Sequence, residues 1–484
     1  MSTLWFKQDA FVNGQWINGK QHQRFPVINP ANQQEIAQVA NLSCDEVTQA
    51  IDAAQHALPG WRATPLRERV RILNTLSSLL QEHQNELAQQ LTREQGKPLD
   101  EARGEVGYAA SFFDWFAQEA RRNYGDIIPA ADNDKRLSTI KQAIGVCAAI
   151  TPWNFPIAML ARKIAPALAA GCTIIVKPSE LTPLSALALA ALAEHAGVPA
   201  GVINVVTTDA AGTPAVGELL SQHPSIRLLS FTGSTRVGKL LMQQSAQTVK
   251  RLALELGGNA PFIVFDDADL PEAVSGLINC KFRNAGQTCV SANRIFVQRT
   301  VFQAFSDALC QATAQLRVGE GTAADAAIGP LIDSKALSKV TNLVEEAISK
   351  GARLIFQGET PSHCGYFFAP TILTEISDDM AIYHEEIFGP VVTLIPFDSE
   401  QQVISQANAT QAGLAAYFYT RDLNRSIRVR EALEYGMVGI NTGLISSAET
   451  PFGGIKQSGL GREGGWQGLE EYQEIKYICL GGVA

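Results

Sequence analysis

The sequence predicts an α/β protein built on parallel strands, and three observations carry that prediction. From about residue 143 onward, short apolar strands alternate with helices. Glycines stand where helices stop or strands turn, as Gly171, Gly197 and Gly233 do. At 484 residues and 46 % hydrophobic content the chain exceeds the size of one core, so it divides into two or more domains.

Residues 46–119 precede the alternation and read as mostly helical. Apolar positions recur at three and four in AIDAAQHAL and in VRILNTLSSLLQEHQNELAQQL, and Gly96 to Pro98 interrupts before a second helical run. IGVCAAITP then reads as a buried strand and Ala158 to Ala170 as a helix ending at Gly171. TIIVKP from Thr173 is a second strand, followed by a helix over Pro183 to His195. Gly201 to Val206 is a third strand, Ala215 to Gln222 a helix, and Ile226 to Thr232 a fourth strand. KRLALELGG and PFIVFDDADL begin a further round, with a helix from about Leu270 to Arg283. The alternation returns around Gly329, Gly365, Gly389 and Gly413, which predicts a second α/β domain. After Gly468, EEYQEIKYICLGG alternates as a strand whose bare edges invite pairing with another subunit.

Composition excludes several function classes. A formal charge of -9 gives no global positive field for nucleic acid or an anionic membrane. The cysteines at 44, 147, 172, 280, 289, 310, 364 and 479 form no CxxC pair and no cluster with histidine, so no metal site is expected. Reduced thiols and the polar start MSTLWFKQDAFVNGQW, which lacks a secretory apolar core, make a cytoplasmic location the expectation. AIGVCAAITPWNFPIAMLA is long enough to raise the question of a membrane span. Pro152, Asn154 and Pro156 in its centre favour a strand, a loop and a helix instead.

Two strand ends carry a nucleotide signal. FTGSTRVGKL puts Gly233 after a strand and Ser234 at the opening of a helix, where free N–H groups and the positive helix end suit a phosphate. The spacing is not the GxGxxG fingerprint, and glycine turns at strand ends are common. Lys177 ends another strand and is followed by Pro178, Ser179 and Glu180. A lysine there can reach ribose or phosphate, and a carboxylate can accept from both hydroxyls of an adenosine ribose while repelling an added 2′-phosphate. A solvated loop charge is the competing account of Glu180.

Three further residues carry chemistry. Cys289, in the glycine turn GQTC, is placed to act as a nucleophile, although an arbitrary cysteine is more often a small buried hydrophobe. Glu255 lies in the apolar strand LELGG, where a carboxylate is costly unless paired or tuned as a base. Asn154 in WNFP offers an amide to an oxyanion at a strand end. A cysteine nucleophile, a glycine cradle and a semi-buried glutamate are together what thiol-mediated aldehyde oxidation needs.

The chain resembles the aldehyde dehydrogenase superfamily, and its succinate-semialdehyde dehydrogenase branch in particular, from end to end. The strings that carry the resemblance are TPWNFP at 151, KPSELTP at 177, FTGSTRVGK at 231, LELGGNAPFIVFDDADL at 254, FRNAGQTCVSANR at 282, EEIFGPV at 385 and PFGGIKQSGLGREGG at 451. It implies Cys289 as nucleophile, Glu255 as the base for hydrolytic water, and Asn154 with the Cys289 N–H as oxyanion hole. Lys177, Ser179 and Glu180 would then hold the adenosine ribose, Gly233 and Ser234 the pyrophosphate, and Glu386 and Phe388 the nicotinamide ribose. Trp153 and Gly257 would border the nicotinamide. Arg162, Arg283 and Ser446 would bind the distal carboxylate of a semialdehyde, two guanidinium donors being suited to that end.

The coenzyme implied is NAD, with NADP admitted, and the substrate is succinate semialdehyde, with glutarate semialdehyde or broader aldehyde use as alternatives. A non-enzymatic structural or partner-binding role is the remote one. The family fold implies a Rossmann-type cofactor domain from residues 1–124 and 144–253, a catalytic α/β domain over 254–467, and a small β oligomerisation element from 125–143 with 468–484. Assembly as a homodimer or homotetramer follows from it. One departure stands out: relatives with C-V-C have a second cysteine two residues after the nucleophile, where this chain has Ser291.

Overall fold

A computed structural model describes residues 4–19, 22–362 and 364–483. Two hairpins come first: β1 (Ala10–Val12) with β2 (Gln15–Ile17), and β3 (Arg24–Ile28) with β4 (Glu35–Ala40). Helices α1 (Cys44–Ala63), α2 (Leu66–Glu82), α3 (Gln84–Gln95) and α4 (Leu99–Arg121) then occupy the region whose periodicity predicted helix. Ser43 opens α1 with a full capping box to Glu46. Gly96 ends α3 at φ 99°, so the interruption at Gly96 to Pro98 is a chain turn.

The strand-helix alternation follows as β5 (Ile127–Ile128), β6 (Lys135–Ala143), β7 (Val146–Ile150), α5 (Pro156–Ala170), β8 (Thr173–Lys177), α6 (Pro183–His195), β9 (Ile203–Val205), α7 (Thr213–Gln222), β10 (Ile226–Thr232), α8 (Thr235–Ser245) and β11 (Arg251–Glu255). Strands β11, β10, β7, β8 and β9 lie side by side and parallel, in that order. The chain runs outward from β7 through β8 to β9, then returns to the other side of β7 with β10. Such a reversal leaves a crevice beyond the carboxyl ends of β7 and β10. The loops carrying Asn154 and Ser234 rise on either side of it.

The apolar run from Ala143 is β7, a loop and α5, as its proline and asparagine positions predict. Every residue of α5 is buried, Arg162 and Lys163 included. No described helix is long and apolar enough to cross a membrane.

A second sheet has its own core. It contains β12 (Ala260–Val264), β13 (Ala292–Gln298), β14 (Arg353–Gln357), β15 (Thr371–Thr374), β16 (Val391–Phe397), β17 (Ala415–Tyr419) and β18 (Met437–Ile440). Six of its seven strands are parallel, and only β14 at the edge runs against its neighbour. Helix α9 (Leu270–Phe282) covers it beside α10 (Phe302–Thr313), and α11 (Ser334–Ser349) packs nearby. The doubly layered α/β architecture read from the sequence is thus present twice.

Near the carboxyl end, β19 (Gly459–Leu460) returns to pair with β11 of the first sheet. The last strand, β20 (Gln473–Gly481), pairs antiparallel with β6 along nine residues, from Gln473 opposite Ala143 to Gly481 opposite Lys135. With β5 they make a separate three-stranded sheet. Ile475, Tyr477 and Leu480 of β20 stand 67 %, 59 % and 57 % exposed, which a lone subunit leaves uncovered.

Candidate active site

The two large sheets meet around a cavity of about 560 Å³ beyond the carboxyl ends of β10 and β11. Its lining includes Trp153, Asn154, Arg162, Gly233, Ser234, Glu255, Gly257, Arg283, Cys289, Glu386, Phe388 and Ser446. Twelve of the residues singled out in the sequence therefore share one space, although they come from segments spread over nearly three hundred positions. Lys177, Ser179 and Glu180 lie outside that lining, at the carboxyl end of β8.

Cys289 sits between α9 and β13 after a turn that winds the wrong way. Asn284, Ala285 and Gly286 take φ of 52°, 55° and 75°. A side chain on Gly286 would meet Gly389 O at 2.3 Å, so the backbone there has no room for a Cβ. Glu101 of α4 accepts from Asn284 N at 2.8 Å and pins the turn from the helical side. The Cys289 side chain is half-buried. Burial pushes its thiol up to about 12; the carboxyls of Glu386 and Glu255 push the same way, against the pull of Arg162. A thiol held that high keeps its proton until a base takes it.

Glu255 is the last residue of β11 and 3 % exposed. Its Oε2 has no hydrogen-bond partner, and a Cβ on Gly453 would come within 2.9 Å of Oε1. Loss of water raises its affinity for a proton well above the ordinary carboxylate range, and the Glu463 carboxylate adds to this. Arg162 and Lys163 oppose it. A carboxyl so placed has few commitments in the fold and a strong appetite for a proton once ionised.

Asn154 is held on all sides. Its Oδ1 accepts from Phe155 N at 3.1 Å, and its Nδ2 donates to Gln287 O at 3.0 Å. The second N–H of that amide meets no acceptor among the described residues and is left for a ligand oxygen.

Arg162 is 1 % exposed and forms an ion pair with Glu463, Nε to Oε2 at 2.5 Å. Its guanidinium stacks 4.2 Å from the Phe452 ring centroid, and its Nη2 makes no hydrogen bond. Arg283 leaves α9 at the first non-helical position, 5.4 Å from the Phe155 centroid, with Nε likewise buried and without a partner. Tyr108 of α4 brings its buried hydroxyl to the same wall, beside the Arg162 guanidinium. Unsatisfied donors in a cavity wall are costly unless a ligand completes them, and these suit an anion.

The other end of the cavity fits a dinucleotide. Ser234 caps α8, so the free N–H groups of that helix face outward beside Gly233. A Cβ on Gly257 would approach Glu386 Oε2 to 2.9 Å. Glu386 Oε1 accepts from Gly258 N at 3.1 Å, and burial raises its carboxyl to about 7. Trp153 meets Phe388 edge to face at 5.6 Å between centroids. At β8, Lys177 Nζ lies 3.7 Å from Glu180 and donates to Pro178 O, while Ser179 Oγ accepts from Leu181 N.

The sequence reading passed over Lys163 and Glu463, whose buried ion pair adjoins that of Arg162. The signal is present: two adjacent cations in the otherwise apolar PIAMLARKIAPALAA require buried acids. Among the described residues no cluster of histidine, cysteine and acidic side chains could hold a metal ion, and no disulfide joins the cysteines.

The profile of the aldehyde dehydrogenase family matches residues 16–478. The chain is 56 % identical to the succinate-semialdehyde dehydrogenase [NADP(+)] of Escherichia coli K12 over 476 residues, 98 % of each chain. It is 54 % identical to a 3-sulfolactaldehyde dehydrogenase of Pseudomonas putida, covering 99 % of this chain and 98 % of that one. It is also 54 % identical to a glutarate-semialdehyde dehydrogenase of P. putida KT2440, over 98 % of both. Among solved structures, a succinate-semialdehyde dehydrogenase from Burkholderia pseudomallei superposes with a TM-score of 0.97 at 52 % identity, over 99 % of each chain.

Proposed function

Because the chain belongs to the aldehyde dehydrogenase family, in its succinate-semialdehyde dehydrogenase branch, we propose that this NAD(P)-dependent enzyme oxidises succinate semialdehyde to succinate through a thioester on Cys289. The observation that carries the substrate is the pair Arg162 and Arg283, whose buried, partnerless donors line the cavity that contains Cys289. The substrates in the names of all three relatives share an aldehyde and a distal anion. Glutarate semialdehyde is the second reading, since one methylene is worth only about 1–3 kcal/mol in an ordinary pocket.

In this reading Arg162, Arg283 and Ser446 hold the distal carboxylate and so set the aldehyde carbon against the sulfur of Cys289. The Cys289 thiol gives its proton to water, the thiolate adds to that carbon, and the oxygen, now negative, takes hydrogen bonds from the Asn154 amide and the Cys289 N–H. The nicotinamide coenzyme, when bound, accepts the hydride from the thiohemiacetal carbon. Glu255 then takes a proton from water as its oxygen attacks the thioester, and the carbon-sulfur bond breaks to release the acid.

Ser234 and Gly233 hold the pyrophosphate, Glu386 and Phe388 the nicotinamide ribose, and Trp153 and Gly257 the ring. Lys177, Ser179 and Glu180 hold the adenosine ribose, and the Glu180 carboxylate makes NAD the preferred coenzyme by repelling a 2′-phosphate. Residues 1–124 and 144–253 serve coenzyme binding, 254–467 catalysis, and 125–143 with 468–484 subunit assembly. The exposed apolar residues of β20 support a homodimer or homotetramer, and the scattered cysteines without a CxxC pair support a cytoplasmic place for it.

The test is intact-mass analysis of enzyme quenched during turnover with succinate semialdehyde and NAD. One succinyl group on the wild-type chain, absent in Cys289→Ala, is expected. An equal adduct on Cys289→Ala rules the thioester assignment out.

A further inference from the structure

Lys97 lies in the turn between α3 and α4, and its side chain is wholly enclosed. Its Nζ donates to Glu105 Oε2 at 2.5 Å and to the main-chain oxygen of Asn154 at 2.8 Å. The same ammonium stands 3.8 Å from the centroid of the Phe155 ring. Glu105 uses its other oxygen, Oε1, to accept from Ile157 N at 3.0 Å and Ala158 N at 3.3 Å, in the first turn of α5. The ion pair therefore grips the Asn154–Phe155 turn from both ends, by the carbonyl before it and by the helix start after it.

Stability alone is a weak reason for such a pair, because well-packed apolar side chains of similar volume commonly do as well. Its place against Asn154 supplies a better one. The Asn154 Oδ1 accepts from Phe155 N at 3.1 Å, the N–H of the same peptide whose carbonyl Lys97 holds, so the direction of the amide follows that peptide plane. Lys97 Nζ and Asn284 Nδ2, the latter at 2.9 Å, both fix that plane by its carbonyl oxygen.

We infer that Lys97, with Glu105, is a positioning residue that aims the Asn154 amide at the oxygen of the carbon bound to Cys289. The inference rests on the reading of Asn154 as an oxyanion donor. Lys97 lines neither the reacting carbon nor the coenzyme in this account, so its removal should act through Asn154 alone.

A double-mutant cycle tests it, with Lys97→Met, Asn154→Ala and the combination, each assayed for kcat, aldehyde KM and coenzyme Kd. Asn154→Ala should lower kcat roughly 100-fold to 1,000-fold. Lys97→Met should lower kcat roughly 10-fold to 100-fold, with KM and Kd within about 3-fold of wild type, and should add under about 3-fold once Asn154 is alanine. Where Lys97→Met does not fold, Lys97→Arg keeps the charge against Glu105 but displaces the donor, and the same non-additivity is expected. Full multiplication of the two losses, or unchanged kcat in the Lys97 variants, overturns the proposal. An Asn154→Ala enzyme with wild-type kcat overturns the oxyanion reading, and the proposal falls with it.

Discussion

Glu463 ties Arg162 and Lys163 together: its two carboxylate oxygens pair with the two adjacent cations of α5, all three side chains being 5 % exposed or less. The same carboxylate pushes the proton affinity of Glu255 upward. Glu463→Gln removes that repulsion and leaves two cations free to favour ionised Glu255. The acid limb of kcat against pH should therefore move to lower pH, at a stability cost of about 3–5 kcal/mol for breaking a buried pair. A pH profile with an unmoved acid limb in a folded variant would show that Glu463 does not tune the base.

Glu255→Gln should separate the two halves of the reaction. Rapid mixing with aldehyde and NAD should give a burst of reduced coenzyme near one per active site, followed by steady turnover lowered roughly 100-fold to 10,000-fold. Unchanged steady turnover would remove Glu255 from thioester hydrolysis.

Wild-type activity should climb with pH across the neutral range. The Cys289 thiol lies at about 12 and loses its proton more readily as pH rises, and Glu255, raised by burial, becomes an ionised base in the same direction. Both signs agree, so kcat/KM measured from pH 6 to 9 should increase throughout. A plateau beginning near pH 5 would show that neither raised group limits the rate of the working enzyme.

Position 291 bears on oxidation. With serine there, Cys289 has no thiol two residues away to form a protective disulfide. Mild peroxide should inactivate the enzyme with loss of one thiol, and reductant should restore activity incompletely. Full recovery through an intramolecular disulfide, seen by peptide mapping, would contradict this.

Much of the molecule is legible in the sequence because its signals are local. A five-residue apolar strand such as Thr173–Lys177, followed by an apolar helix that stops at glycine, declares itself without tertiary information. Polar residues in apolar surroundings were equally plain, and Cys289, Glu255 and Asn154 do line one cavity. The hairpins before Ser43 escaped because their strands, such as Gln15–Ile17 and Arg24–Ile28, are not unbroken apolar runs and no helix stopping at glycine follows each one. Lys97 escaped for another reason: its hydrogen bond to Asn154 spans 57 positions and ends on a main-chain oxygen, which no side-chain pattern encodes. The partners of α5 were hidden likewise, since Lys163 and Glu463 meet across 300 residues.

A dehydrogenase for aldehydes with a distal carboxylate reveals itself in kcat/KM for succinate semialdehyde, glutarate semialdehyde and butanal, each measured with NAD and with NADP. Preference for the two carboxylated aldehydes by at least about 100-fold over butanal is expected, the worth of a charge-assisted contact of roughly 3 kcal/mol, with succinate semialdehyde first and NAD above NADP. Equal or better use of butanal would leave an aldehyde dehydrogenase but contradict the role given to Arg162 and Arg283.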